Sequence, residues 1–524
     1  MDVSGALILA DLLAEKVRRH PDRTCVVFED ARGGVRALGY AELSALVDRL
    51  CNALLAEGVQ PGDKVAIMMG NCVEFLVAWL AVNQAGAVMV SVNVAYTADE
   101  LRYLLIHSDS VAIILEQRFI PLFDAVAGDC AGVRLRLGAR ADTAPAGFRL
   151  FDDVLRESSA GHRIVRVPPD SPAQIVYTSG TTSRPKGVMI SHRSSLIQGA
   201  AVSLTLGMRA DERTCVVLPL FHVNAQYVGV MPTLTVGGTI VLLESYSATR
   251  FWGQVRSHRC TLMSIVPMQL RTLLAQPARP DDADHRLRFA FYALNTTDEE
   301  WTAFETRFGV KLVEGYGLSE TLGICTCNPV MHGEIRRHSV GRPVLGRELR
   351  VLGEDGRERP PGEVGRIAVR GEAMFSGYYK NPEATAACLQ DGWLDTGDNG
   401  YFDEQGYLYF FDRTKDIIKR SGENIAASEV ERVLNEHPEV VESAVIAVPD
   451  ALRDEAVKAF IVLGPGATLT EVGAREWCAA RLASFKVPSF CEFVPRLPKT
   501  SIGKIKKYLL KQGKFDDVEE ARDP

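Results

Sequence analysis

The sequence contains no C-x-x-C pair among its eleven cysteines. Its close pair, Cys325 and Cys327, lacks the companion His or Cys cluster of a zinc site, so the thiols read as reduced and mostly buried. It has no uncharged run of bilayer length, which excludes a spanning helix and predicts no membrane insertion. The apolar stretch 6–10 has no basic region ahead of it and is broken by Asp11 and Glu15, a poor signal peptide. Arg522-Asp523-Pro524 carries no peroxisomal or anchoring signal, so a cytoplasmic location is the expectation. A basic excess is missing too. Fifty-nine Lys and Arg stand against 66 Asp and Glu, for a net charge of -7, and the cations are scattered rather than striped. Nothing condenses on a nucleic-acid backbone.

What is present is average for a globular enzyme: 47% hydrophobic and 24% charged residues. At 524 residues the chain needs more than one apolar core. From 6 to 115 the hydrophobic pattern alternates between helical and strand periods: a helix over 6–19, a strand over 64–69, a helix over 72–85, a strand over 88–92, a helix over 97–107 and a strand over 111–115. This is the βαβ rhythm of a parallel sheet. Residues 138–172, rich in Ala, Pro, Arg and Asp, read as a surface excursion. A second alternating stretch spans 214–314, with strands over 214–218, 239–243 and 262–266. After 345 short strands and tight turns suggest a small β-rich layer, and 415–510 reads as a compact α+β unit. Two α/β subdomains, the β-rich layer and a small α+β C-terminal domain make the expected architecture, and an assembly of identical chains stays open.

The densest chemistry lies in Val176-Tyr177-Thr178-Ser179-Gly180-Thr181-Thr182-Ser183-Arg184-Pro185-Lys186-Gly187, which follows a strand-like run. Glycines let backbone approach closely, hydroxyls donate to phosphate oxygens, and Lys186 supplies a point charge. A polyphosphate suits such a loop, although a plain solvated turn shares the composition. It is not a Walker loop, because Pro185 precedes the lysine and Gly187 follows it.

The string resembles the signature of the adenylate-forming superfamily, which comprises acyl-CoA synthetases, standalone adenylation domains and firefly-type luciferases. Four more motifs follow in that family's order. Glu314-Gly315-Tyr316-Gly317-Leu318-Ser319-Glu320 resembles its aromatic-glycine-glutamate element, implying that Tyr316, between Gly315 and Gly317, stacks on adenine and that Glu320 helps hold Mg2+. A hard carboxylate beside phosphates is what that ion takes. Thr182 is the other metal-side candidate. Trp393-Leu394-Asp395-Thr396-Gly397-Asp398 resembles the element whose aspartate, here Asp398, accepts from the ribose hydroxyls. Phe411-Asp412-Arg413-Thr414-Lys415-Asp416 is similar to the hinge, with Arg413 sharing the ribose and Lys415 as pivot. Beyond it, Lys419 and Arg420 stand before Gly422 and Glu423 and can present charge to coenzyme A phosphates. Leu497-Pro498-Lys499-Thr500-Ser501-Ile502-Gly503-Lys504 matches the C-terminal lysine loop, implying that Lys504 is catalytic.

The resemblance implies ATP, Mg2+ and coenzyme A as reactants and cofactor, a small-molecule acid as partner, and a mobile C-terminal domain: 1–413 as the adenylation domain, 414–416 as hinge, 417–524 beyond. Thr178, Ser179, Gly180, Thr181, Thr182 and Lys186 would hold the nucleotide with Tyr316, Asp398, Arg413 and Lys504. His222, in Leu218-Pro219-Leu220-Phe221-His222-Val223-Asn224-Ala225-Gln226, is either a gate beside the acyl site or a satisfied core histidine.

Strings around Tyr246 and Leu270 look closest to the betaine and carnitine CoA ligase branch, suggesting a small polar acid. Yet Asn224 and Gln226 are neutral, whereas a trimethylammonium calls for a carboxylate or an aromatic cage. Tyr292 and Asn295 stand where relatives carry a glycine-alanine-proline element, and either read an aromatic or hydroxylated acid or pack in the core. Gly317 completes the candidate pocket. Superfamily members with other acceptors stay open: diazotases that adenylate nitrite to diazotise an aromatic amine, and enzymes that load carrier proteins. A binding protein with a dead site is a further alternative, against which the retained Lys504, Glu320 and Asp398 argue.

Overall fold

The computed structural model describes residues 6–178, 184–293, 298–353, 355–413, 417–498, 505, 507–511 and 513. The chain divides into two compact units. Met1–Val94, Arg102–Tyr177 and Gly187–Asp412 form the larger, and Ala95–Leu101, Thr178–Lys186 and Arg413–Pro524 the smaller.

In the larger unit, strand Lys64–Met68 leads through helix Val73–Gln84 to strand Val88–Ser91, which lies parallel beside it. Ser110–Glu116 and then Leu135–Ala139 extend this parallel sheet on one side, and Pro172–Thr178 extends it on the other. Helix Val73–Gln84 is apolar around its whole circumference and is buried from Phe75 onward. That is the pattern of a helix enclosed in a core, and it follows from a parallel sheet needing cover on both faces. Its two polar terminal residues donate to neighbouring elements, Asn83 to Ala173 O at 2.7 Å and Gln84 to Asp48 at 2.6 Å.

A second sheet runs in parallel through Thr24–Glu29, Thr239–Leu243, Arg213–Val216, Leu262–Ile265, Phe289–Tyr292 and Lys311–Tyr316. It then changes to antiparallel pairing through Thr326–Cys327, Ser339–Pro343, Leu408–Arg413, Trp393–Phe402, Gly365–Gly371 and Arg347–Leu352. Two α/β layers with a β-rich continuation are thus present, as expected. Two features differ from the sequence reading. The hairpin formed by Thr24–Glu29 and Val35–Gly39 joins the second sheet, not the nearby first one. Within the supposed surface excursion, helix Phe151–Glu157 buries Phe151, Val154 and Leu155, because its i, i+3, i+4 spacing gives one apolar face.

The smaller unit has its own sheet. Val440–Asp450 and Asp454–Leu463 pair along their length, Ile417–Arg420 and Glu423–Ala426 form a hairpin beside them, and Phe490–Phe493 adds a parallel edge. Helices Ala427–Asn435 and Glu471–Ala479 cover an apolar core that includes Val430, Val433, Val457 and Ile461. Inside this unit Lys486 is buried between Glu100 and Glu429, at 2.7 and 2.9 Å. Among the described residues no helix is long and apolar enough to cross a membrane.

Glu29, at the end of its strand, is the polar knot of the second sheet's edge. His258 Nε2 lies 2.6 Å from one oxygen, and Arg250 and Gln254 donate to the other at 2.6 and 2.8 Å. Burial pushes the carboxyl up, but the hydrogen bonds from Gln254, His258 and Arg250 outweigh it and hold the group below the usual carboxylate range. A lowered folded pKa means stability that is present above the unfolded value and is lost as pH falls through the folded one. We expect the melting temperature to drop between about pH 5 and pH 3. Glu29→Gln should lose about 2 kcal/mol at neutral pH and flatten part of that acid limb, as read by calorimetry from pH 3 to 8.

Candidate active site

Ligands of open α/β sheets bind outside the carboxyl ends of parallel strands. Two of the sequence candidates end such strands: Thr178 closes Pro172–Thr178, and Tyr316 closes Lys311–Tyr316. Ser179, Gly180, Thr181 and Thr182 lie outside the described residues, as do Lys415 and Lys504. Lys186 opens strand Lys186–Ser191 on the far side of that loop. Gly187 follows because there is no room for a side chain: a Cβ would stand 2.9 Å from Ile175 and 3.3 Å from both Tyr177 and Tyr379. Tyr177 is itself pinned, its hydroxyl 2.8 Å from His107 Nδ1.

From Gly315 onward the chain folds back on itself. A Cβ on Gly317 would sit 1.7 Å from the carbonyl oxygen of Gly323, so glycine is obligatory there. Leu322 and Gly323 complete the reversal with φ of 55° and 97°. Tyrosines hold two carboxylates beside this reversal. The Tyr316 hydroxyl donates to Asp398 Oδ2 at 2.8 Å, and Asp398 is only 2% exposed. Burial, then the adjacent Asp398 charge, pushes the Tyr316 phenol well up, so it stays a donor. Asp398 follows a turn in which Thr396 Oγ1 accepts from the Asp398 amide and Asp395 from that of Gly397.

The second carboxylate, Glu320, accepts at Oε1 from the Tyr378 hydroxyl at 2.7 Å, and its backbone carbonyl accepts from Phe375 N. Burial, then the Glu320 charge, raises the Tyr378 phenol, so this donor too keeps its proton. The segment carrying Tyr378 is bonded to strand Lys186–Ser191: Ser376 N to Met189 O, Met189 N to Gly377 O, and Tyr379 N to Gly187 O. Strand and acidic loop are therefore linked through residues 375–379. Tyr378 escaped the sequence reading, since no local spacing connects it to Glu320.

Other candidates fall differently. Gln226 is wholly buried, in the π-helical turn Ala225–Val230. Its amide donates to Leu220 O and Ser91 and accepts from Gln174, so the fold uses every hydrogen. Tyr292 is also wholly buried, edge-on to Trp301. Asn224, by contrast, is half-buried and accepts from Ser264 Oγ at 2.8 Å. His222 stacks at a tilt on Phe221, with ring centroids 4.5 Å apart. Arg413 ends its strand, and its side chain lies outside the described residues.

In the smaller unit, Lys419 and Arg420 pair with Asn424 and Glu423 across a hairpin whose turn, Ser421 and Gly422, has positive φ. Arg420 is buried and donates to the carbonyls of Phe485 and Val487 at 2.8 and 3.0 Å. Its guanidinium ties the hairpin to that segment. Arg420→Met should therefore lower the melting temperature of the protein by several degrees, whereas Lys419→Ala leaves it within a degree or so, read by differential scanning fluorimetry.

Residues 13–379 match the family of AMP-binding enzymes, and residues 429–504 match the AMP-binding enzyme C-terminal domain. The crotonobetaine/carnitine-CoA ligase of Salmonella paratyphi A is 38% identical over 98% of this chain and 100% of its own length. An o-succinylbenzoate CoA synthetase from Bacillus subtilis, solved with a product analogue, superposes with a TM-score of 0.84 at 27% identity, covering 95% of this chain and 97% of that one. An amide bond synthetase from Marinactinospora thermotolerans gives 0.86 at 28%, covering 97% and 99%. With the family model matching residues 13–379 and a 38% identical relative aligned over 98% of the chain, the chain belongs to the family of AMP-binding enzymes.

Proposed function

We propose that the protein is an ATP-dependent acid-CoA ligase that forms an acyl-AMP and releases AMP and pyrophosphate. The observation that carries this reading is a pair of tyrosine-held carboxylates, Asp398 held by Tyr316 at the end of the last parallel strand and Glu320 held by Tyr378 in the turn that follows that strand. One acid suits ribose hydroxyls, the other a metal bound to phosphates. Among the described residues no three His, Cys, Asp or Glu side chains cluster as a metal site, so a cation at Glu320 would take its remaining ligands from phosphate and water, which is the habit of Mg2+. Bound there, Mg2+ would neutralise charge on the phosphates.

In the first step a carboxylate oxygen of the acid attacks the α-phosphorus of ATP and the α–β anhydride bond breaks, with pyrophosphate leaving. Lys186 and Lys504 offset the developing negative charge, and Tyr316 and Asp398 orient adenine and ribose, as do Thr178, Gly180 and their neighbours for the phosphates. Positioning and electrostatics do most of such chemistry. In the second step the coenzyme A sulfur attacks the acyl carbon and AMP leaves. Lys415 serves as the pivot between the steps, with 1–413 and 417–524 as the parts that turn.

For the acid, the neutral pair Asn224 and Ser264 supports a small uncharged-tail or hydroxylated acid over a quaternary ammonium, with His222 beside it. A second reading has a specific basis. Arg420 is committed to two carbonyls, which removes one cation from the coenzyme A side, and the amide bond synthetase shares the fold. An amine or a carrier thiol as acceptor would use the same acyl-AMP.

Purified protein with ATP, Mg2+ and a panel of acids should release AMP and pyrophosphate; ADP would reject the class. Adding coenzyme A, an amine or a carrier protein then shows which acceptor consumes the adenylate. Lys504→Ala should slow adenylation by 100-fold or more while sparing thioester formation from a synthetic acyl-AMP, and equal loss of both steps would contradict the assignment. Tyr378→Phe should raise the Mg2+ concentration giving half-maximal rate about threefold to tenfold at unchanged fold, followed by pyrophosphate release.

A further inference from the structure

Behind the acidic loop sits a cation that the mechanism above does not use. Arg347, the first residue of strand Arg347–Leu352, is 7% exposed. Its Nη2 donates to Thr321 O and to Gln198 Oε1, both at 2.8 Å. Both acceptors are neutral, and Nε and Nη1 have no hydrogen-bond partner among the described residues. Gly371 leaves room for the side chain, since a Cβ there would stand 3.0 Å from Arg347 Cδ. A buried guanidinium without a counter-charge is costly in the folded state.

The geometry identifies what it holds. Gln198, wholly buried on helix His192–Thr205, accepts from Arg347 and donates from Nε2 to Ile324 O at 2.9 Å. Arg347 and Gln198 together grip Thr321 O and Ile324 O, the two sides of the left-handed pair Leu322 and Gly323. Glu320 directly precedes the gripped segment. The Tyr378 hydroxyl restrains its side chain.

We propose that Arg347, acting through Gln198 and Thr321, is a positioning residue for nucleotide binding: it fixes the 321–324 reversal so that Glu320 presents its carboxylate to the metal on ATP. This rests on the reading of Glu320 given above. The clamp acts on the metal-dependent part of nucleotide affinity and leaves the adenine and ribose contacts at Tyr316 and Asp398 in place.

Calorimetric titration with ATP, once with Mg2+ and once with EDTA, isolates that part. The wild type should bind Mg-ATP more tightly than metal-free ATP. Arg347→Met should lose about tenfold of that increment, with Arg347→Lys recovering some of it and metal-free ATP binding unchanged. Gln198→Glu separates positioning from stability. The new carboxylate gives Arg347 a counter-charge, so the melting temperature holds or rises, yet it cannot donate to Ile324 O, so the increment should still fall. Retention of the full increment in both Arg347→Met and Gln198→Glu would overturn the clamp alone. Absence of any Mg2+-dependent increment in the wild type would overturn the role of Glu320, and this inference with it.

Discussion

A carboxylate below the protein surface needs donors in place of the water it loses, and in the larger unit two tyrosines supply them to the candidate site. Tyr316 reaches Asp398 and Tyr378 reaches Glu320. The chain reverses between Gly317 and Gly323, so Glu320, four residues after the strand-end tyrosine, sits within the turn. The reversal in turn needs a glycine at 317 and left-handed backbone at 322 and 323. Sheet, turn and charge therefore form one dependency: the last parallel strand aims Tyr316, the turn aims Glu320, and the antiparallel continuation of the same sheet brings in Asp398.

Much of this was legible in the order of residues. The alternation of periods placed the strands Lys64–Met68, Val88–Ser91 and Thr239–Leu243 to within a residue or two, because a fully buried parallel strand is an unbroken apolar run. Glu320 and Asp398 were legible through motif likeness. Tyr378 and Arg347 were not, for a common reason: each acts on residues far away in sequence, 58 positions in one case and 149 in the other, and nothing local distinguishes it from a packed tyrosine or a surface arginine. The edge hairpin Thr24–Gly39 was missed similarly. Its pairing with Thr239–Leu243 depends on a strand more than 200 residues later, not on its own pattern.

Polar residues in a motif-like loop misled in a different way. Gln226 sits two residues from Asn224 and has the same amide, yet their surroundings differ. Every hydrogen of Gln226 is engaged with Leu220, Ser91 and Gln174, while Asn224 has Ser264 on its oxygen. Composition cannot separate the two, because the difference lies in which helix face meets strand Pro172–Thr178. Arg420 makes the same point among cations: its sequence neighbours Lys419 and Gly422 suggest an exposed basic turn, and the alternation of the strand sends Arg420 inward to Phe485 and Val487.

These cases yield a criterion that reaches past residue type. A buried polar group whose donors and acceptors are all engaged inside the fold is structural, and adding a ligand there would break bonds already made. A group left with capacity beside a strand end is available for chemistry. Glu320 accepts from Tyr378 at one oxygen and, among the described residues, receives no hydrogen bond at the other. Arg347 has the reverse character, donors in excess of acceptors, and the donors it does engage reach the Thr321 carbonyl and Gln198. The acceptor capacity at Glu320 and the donor capacity at Arg347 meet in one short segment, because Glu320 directly precedes the Thr321 whose carbonyl Arg347 grips.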